Sequence, residues 1–209
     1  MFRSFDPIEF ILVIPVLLWG LSFHEFCHAY SAKLLGDDTA ERAGRLTLNP
    51  LSHLDPVGTL MIIILLITGF PYLVGWAKPV PVSSRHFKNI RRDMIIVSIA
   101  GIAGNLLTAI TFVTIARFIP LSVLGNAGEI FFRRMIEINV CLAAFNILPV
   151  PPLDGSKVLY AFIPFSWLSL YYFLERFGLI IFIVLLYTGV LHHLMYPVMM
   201  FFFRLVGYF

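Results

Sequence analysis

Charge is what this chain has least of. Only 13% of its 209 residues are Asp, Glu, Lys or Arg, against about 25% in an ordinary soluble domain. A surface so poor in ions cannot face water on all sides, which excludes a soluble enzyme or binding domain and makes lipid the expected solvent. Cysteine is also scarce: Cys27 and Cys141 both lie in apolar segments. They form no disulfide framework and no CxxC pair for a redox centre or zinc ribbon. No internal repeat, low-complexity tract or polar linker marks a second domain, so residues 1–209 are expected to form one membrane-embedded domain. The net charge of +3 is small. Basic residues cluster beside apolar segments, a pattern of membrane topology, and no nucleic-acid partner is expected.

Apolar residues are abundant, at 59% of the chain, with a mean hydropathy of +0.90. Five apolar segments stand out, at residues 8–35, 57–74, 94–119, 131–150 and 168–196, followed by a short aromatic stretch at 197–209. A span needs about 20 mostly apolar residues; the second segment is slightly short. The first run continues into polar residues with no small-x-small cleavage site, so it is expected to be a retained helix. Backbone in lipid must satisfy its own hydrogen bonds. The expected fold is therefore an all-α integral membrane protein. It is a bundle of about five to six transmembrane helices with a short hairpin or a re-entrant extended segment.

The loops set the orientation. Residues 75–93 carry Lys78, Arg85, Lys88, Arg91 and Arg92, and the earlier polar loop at 36–56 carries Arg42 and Arg45. Both are expected on the cytoplasmic side. The segment between them then cannot be a simple span. The stretch Gly75-Trp76-Ala77-Lys78-Pro79-Val80-Pro81-Val82 is the expected re-entrant piece, because its prolines disfavour helix and favour extended backbone. Extended backbone at membrane depth is tolerated against protein or a wet cavity.

The densest chemistry is His24-Glu25-Phe26-Cys27-His28, an HExxH. Residues four apart lie on one helix face, so two imidazoles can meet one metal, with Glu25 beside them as a general base. A zinc ion in such a site lowers the pKa of its water to about 7. HExxH on a soluble helix is often only a solvated face. Here it interrupts a transmembrane-length run, where one central charge costs about 2.5–3.5 kcal/mol.

A catalytic zinc usually has three protein ligands and an open position. Candidates for the third are Asp154, Asp55, His53, Asp93, His192, His193 and the cysteines. Asp154 is favoured. It follows an apolar helix and a proline run, and Gly155 permits a turn that can swing the carboxylate inward. His53 and Asp55 are candidate outer partners that orient a ligand. Asp55 before Pro56 equally suits a helix N-cap. His192 and His193 are expected at the interface, and His86 in solvent.

HExxH in the first apolar segment, with Asn146-x-x-Pro149-x-x-x-x-Asp154-Gly155 far downstream, resembles the site-2 protease family of intramembrane zinc metalloproteases. More narrowly the chain is similar to the short prokaryotic group without PDZ or CBS domains. Further matching stretches are Asn49–Thr59, the Gly75-to-Val82 run, Arg91-Arg92-Asp93 and Gly101–Asn105. The resemblance implies one zinc ion per chain held by His24, His28 and Asp154, with Glu25 as acid and base. It also implies that Asn146 and Asn105 support substrate backbone or the oxyanion.

The expected reaction is hydrolysis of peptide bonds in single-span membrane proteins, in or near the bilayer. A helical substrate must unwind before attack, and Pro79, Val80, Pro81 and Val82 could pair with the unwound strand. The expected location is a prokaryotic cell membrane, with the site in its cytoplasmic half. Two other classes share these residues: a metal-ion transporter, against which the lack of inverted repeats weighs, and a catalytically silent protein that binds membrane helices.

Overall fold

The computed structural model describes residues 7–67, 78–119 and 121–208. Among them the regular structure is helical, with one isolated β-bridge at Leu54. Helix α1 (Pro7–Leu34) carries Glu9 in its first turn and Lys33 in its last, both favourable to the helix dipole. It closes with a left-handed Gly36 at φ +101°. The Asp37 N–H reaches the Ala32 carbonyl at 2.9 Å, and the Gly36 N–H reaches that of Lys33 at 3.0 Å. This pattern satisfies the last carbonyls and delivers Asp37 just beyond the helix end.

Short α2 (Thr39–Arg42) and α3 (Pro56–Ile67) follow. Asp55 Oδ1 accepts from the N–H groups of Val57 (3.0 Å) and Gly58 (2.9 Å), so it caps α3 ahead of Pro56. Helix α4 (Ile90–Phe118) starts from Asn89, which accepts from the Arg92 N–H while Asp93 accepts from the Asn89 N–H. Helix α5 (Gly125–Asn146) returns alongside it.

Helices α1, α4 and α5 all touch one another and make the centre of the bundle. Val13 and Val16 pack on Met135 and Ile138, and Ala109 and Val113 pack on Ile136 and Val140. Outward-facing Ile8, Ile11 and Ile14 on α1, and Leu107 and Ile110 on α4, are exposed, as suits helices bathed in lipid.

After α5 the chain turns through Pro149, Pro151 and Pro152 into α6 (Asp154–Tyr160), which packs on α4. Beyond it lie α7 (Leu168–Arg176), α8 (Gly178–Tyr187) and α9 (Val190–Leu205). Helix α9 returns to α5 through Phe202, Phe203 and Val206.

Among the described residues the span count supports the sequence expectation only in part. By length and composition α1 and α4 can each cross a membrane, and a third crossing exists if α7 and α8 count as one span bent by 67°. Segment 168–196 is thus broken at Phe177–Gly178 and again at Gly189, which has φ +75°. Helix α5 is long enough but carries Glu129, Arg133, Arg134 and Glu137 in its first part. The expected five to six spans are not reached among the described residues. The later part of segment 57–74, and Gly75, Trp76 and Ala77, lie outside them.

Candidate active site

His24 and His28 stand one turn apart on the buried face of α1, each 6% exposed, and Asp154 at the start of α6 is 4% exposed. His24 Nε2 and His28 Nε2 are 2.9 Å apart, and each lies 3.0 Å from Asp154 Oδ2. His28 Nδ1 donates to the Val97 carbonyl at 2.7 Å. His24 Nδ1 donates to Asn105 Oδ1 at 2.7 Å, an oxygen left as acceptor because Asn105 Nδ2 donates to Gly20 O and Asn139 Oδ1. With both Nδ1 atoms protonated, neutral rings present bare lone pairs at Nε2. In that neutral form three acceptor atoms converge.

That donor set fits a divalent cation. Two imidazoles and a carboxylate suit zinc, and their ligand atoms all lie within 4.8 Å. The second oxygen of Asp154 accepts from Lys157 Nζ at 2.9 Å, which steadies the carboxylate and leaves Oδ2 for the metal.

Two glycines and a proline turn make the convergence possible. A Cβ on Gly101 would lie 2.5 Å from His28 Nε2 and 2.7 Å from His24 Cε1; one on Gly104 would lie 2.6 Å from Cys27 Sγ. Only bare backbone lets α4 approach α1 at this level. A Cβ on Gly155 would strike the Ile147 carbonyl, so the turn that presents Asp154 closes tightly on the end of α5. Gly178, at the α7–α8 break, braces the same turn: its Cβ would lie 2.9 Å from Pro151 backbone.

Glu25 is half-buried beside the histidines, and its Oε2 accepts the Val80 N–H at 2.8 Å. The proline-rich stretch therefore runs past the cluster. Val80 is buried with Ala29 and Ala40, Pro81 and Val82 are half-buried, and Pro79 is exposed. The stretch is pinned at both ends. At one end the Lys78 N–H donates to the His53 carbonyl at 2.8 Å, and Arg45 Nη2 donates to the Lys78 carbonyl at 2.5 Å. At the other, buried Asp37 accepts from the Ser83 N–H at 2.6 Å, from His86 Nδ1 at 3.0 Å and from Thr39. Burial opposes ionisation of Asp37. The hydrogen bonds from Thr39, Ser83 and His86 together outweigh it and hold the carboxyl below its usual range.

The structure brings His24, Glu25, His28, Asp154, Asn105 and Val80 together. Asn146 donates from Nδ2 to the Leu142 carbonyl of its own helix at 3.0 Å. Asp55 is occupied as a helix cap. His53 is 1% exposed and donates from Nε2 to the Thr47 carbonyl at 2.8 Å; it braces the loop beneath Lys78 without touching the cluster. Asn105 sits behind His24, as a partner of the ring and not as a group facing open space.

Sequence reasoning missed the Val97 carbonyl, Asn139, Lys157 and Asp37. A backbone acceptor has no residue signature. Lys157, three residues after Asp154 on one helix face, could have been found from that spacing.

The fold and cluster define a membrane protein with a buried His-His-Asp cluster, of a kind that can hold a metal ion, beside a glutamate. The chain is 38% identical over 193 residues to "Putative zinc metalloprotease YwhC" of Bacillus subtilis, covering 90% of this chain and 85% of that protein. It is 32% identical over 204 residues to Rip2 of Mycolicibacterium smegmatis, which carries the same description, covering 95% and 75%. No family model and no solved structure matches. The chain belongs to the family of these zinc metalloproteases, the site-2 protease family.

Proposed function

We propose that this protein is an intramembrane zinc metalloendopeptidase that hydrolyses peptide bonds of single-span membrane proteins within or near the bilayer. The observation that carries the proposal is the convergence of His24 Nε2, His28 Nε2 and Asp154 Oδ2 with no donor between them, beside Glu25. Those three side chains would hold one zinc ion per chain. When bound, zinc supplies Lewis acidity that polarises the scissile carbonyl and acidifies water.

The chain's own residues supply the rest. Asn105 and the Val97 carbonyl hold the two imidazoles in register. Glu25 keeps one oxygen on the Val80 N–H and has the other available. It takes a proton from the attacking water and returns it to the leaving amine nitrogen. The stretch from Pro79 to Val82 is proposed to receive the unwound substrate as an added strand. Its position against Glu25 supports this, although Val80 spends its own N–H on the carboxylate. The basic loops support a cytoplasmic-side site in a prokaryotic cell membrane, and the apolar exterior supports lipid as the surrounding partner.

The test compares native protein with Glu25→Gln for zinc content and for cleavage of a panel of single-span membrane substrates. Both forms should hold about one zinc, and loss of the general base should slow cleavage about 10²–10⁴-fold. A Glu25→Gln protein that cleaves at the native rate would remove Glu25 from the chemistry. A folded native protein without zinc would overturn the metal assignment.

A further inference from the structure

His24 has the less direct anchor of the two histidines. His28 Nδ1 meets a backbone carbonyl, that of Val97, which can only accept. His24 Nδ1 meets a side-chain amide that could in principle offer either end. Two groups set that amide: the Gly20 carbonyl, which can only accept, and, further out, Asn139. Asn139 on α5 donates from Nδ2 to the Met135 carbonyl of its own helix at 2.8 Å, which turns its Oδ1 toward Asn105. Asn105 must then present Nδ2 to Asn139 Oδ1 at 3.0 Å and to the Gly20 carbonyl at 3.1 Å. Its Oδ1 is left for His24, at 2.7 Å. Asn105 and Asn139 are both 0% exposed, so no water competes. A buried amide left without partners is costly, so each link constrains the next.

We infer that Asn139 is a positioning residue for the metal centre. Together with the Gly20 carbonyl, and through Asn105, it fixes the hydrogen-bond polarity that holds His24 in its Nδ1–H tautomer, with the Nε2 lone pair aimed at Asp154 and His28. The signal starts at the fixed helix carbonyl of Met135 and crosses from α5 through α4 to α1. Asn139 touches neither the His-His-Asp cluster nor Glu25. Outer partners of metal-bound histidines set tautomer and ring orientation, and their loss typically weakens metal binding about 10–100-fold.

This inference rests on the metal-site reading above, so its test uses two separable readouts on the full chain in detergent. The first is the tautomer of each histidine in metal-free protein, from nitrogen-15 shifts with selective histidine labelling. The second is zinc affinity by competition with a chelator. In Asn139→Leu, Asn105 keeps the Gly20 carbonyl as its one fixed acceptor, so the His24 Nδ1–H signature should weaken to a tautomer mixture, while His28, anchored on Val97, keeps its own as an internal control. Zinc affinity should fall about 10–100-fold. Asn139→Ala makes the same test with a cavity if leucine prevents folding. Asn139→Asp recovers most of the affinity if its carboxyl stays protonated in this buried site, the O–H replacing Nδ2 toward the Met135 carbonyl and the other oxygen accepting from Asn105.

Unchanged His24 tautomer and zinc affinity in the Leu or Ala variant would overturn the inference. So would equal disturbance of His24 and His28, which would mean general loss of packing. A native chain that shows the His24 Nδ1–H but binds no zinc would refute the metalloprotease reading and leave the relay standing.

Discussion

Two clusters of ionisable groups sit on α1, about 22 Å apart along its axis, and they are built in opposite ways. Near its start, Arg134 of α5 pairs with Glu9 and with Glu137, at 2.5 Å for the latter, and the Tyr208 hydroxyl donates to Glu137 at 3.4 Å. Its ionic side chains are 14–22% exposed. Arg134 faces both carboxylates there and ties α1 to α5. At His24, His28 and Asp154 the ring Nδ1–H groups donate away from the cluster, to Asn105 Oδ1 and the Val97 carbonyl, Lys157 donates to the far oxygen of Asp154, and the front atoms are all acceptors. Ionic groups buried with their opposites are explained by structure alone. Acceptors buried against acceptors need a cation, and only the second cluster does.

That contrast can be broken most directly by removing a ligand. Asp154→Ala should lose zinc by more than the roughly 10–100-fold expected for an outer partner, as read by metal analysis after dialysis. Glu9→Gln should leave zinc content as it was. Zinc retained by Asp154→Ala would make the two clusters alike.

Removing the donor from the Arg134 cluster should have the reverse signature. Arg134→Met leaves Glu9 and Glu137 facing each other and should cost up to about 3–5 kcal/mol. It would appear as a lower denaturation midpoint with zinc binding intact once the protein is folded.

A smaller effect should follow from filling the gap between α1 and α4. Gly101→Ala places a methyl against both imidazoles and should cost about 1–3 kcal/mol, with weaker zinc binding. Alanine at Gly44, where nothing lies within 4 Å but φ is +67°, should disturb stability without touching zinc. Equal zinc loss in both would mean that the close approach at Gly101 is not what shapes the site.

The smallest effect concerns pH. The carboxyl of Asp37 is held below its usual range, so it contributes stability fully above its unfolded pKa, about 3.9. The contribution is lost as pH falls through the lower folded value. Asp37→Asn should therefore loosen residues 78–86 at neutral pH, seen as faster amide exchange at Ser83, and the difference from native should shrink in acid. A gap that persists unchanged in acid would assign Asp37 a role other than a carboxylate acceptor.

Much of this was legible along the chain. The low charge and long apolar runs pointed to a helical membrane protein, because an unscreened helix is the cheapest backbone in lipid. HExxH with the distant Asp-Gly pointed to the family that the relatives show. Asp55 before Pro56 was readable as a helix cap because capping is local. Span counting was less legible: Gly178 and Gly189 broke one apolar run into three helices, and Arg134 and Glu137 on α5 face Glu9 and Tyr208, partners that sequence alone does not reveal.

By itself the sequence determined the solvent, the helical class, the family, and the two histidines and glutamate on one helix face. All of these follow from composition or from spacing within one element. Only the tertiary structure decided that Asp154 comes within 3.0 Å of both imidazoles, that Val80 lies on Glu25, and that Asn139 stands behind Asn105. Those pairings span from 34 to 130 positions. They depend on how closely α4 and the proline turn approach α1, which is set by packing at Gly101, Gly104 and Gly155 and has no periodicity to read.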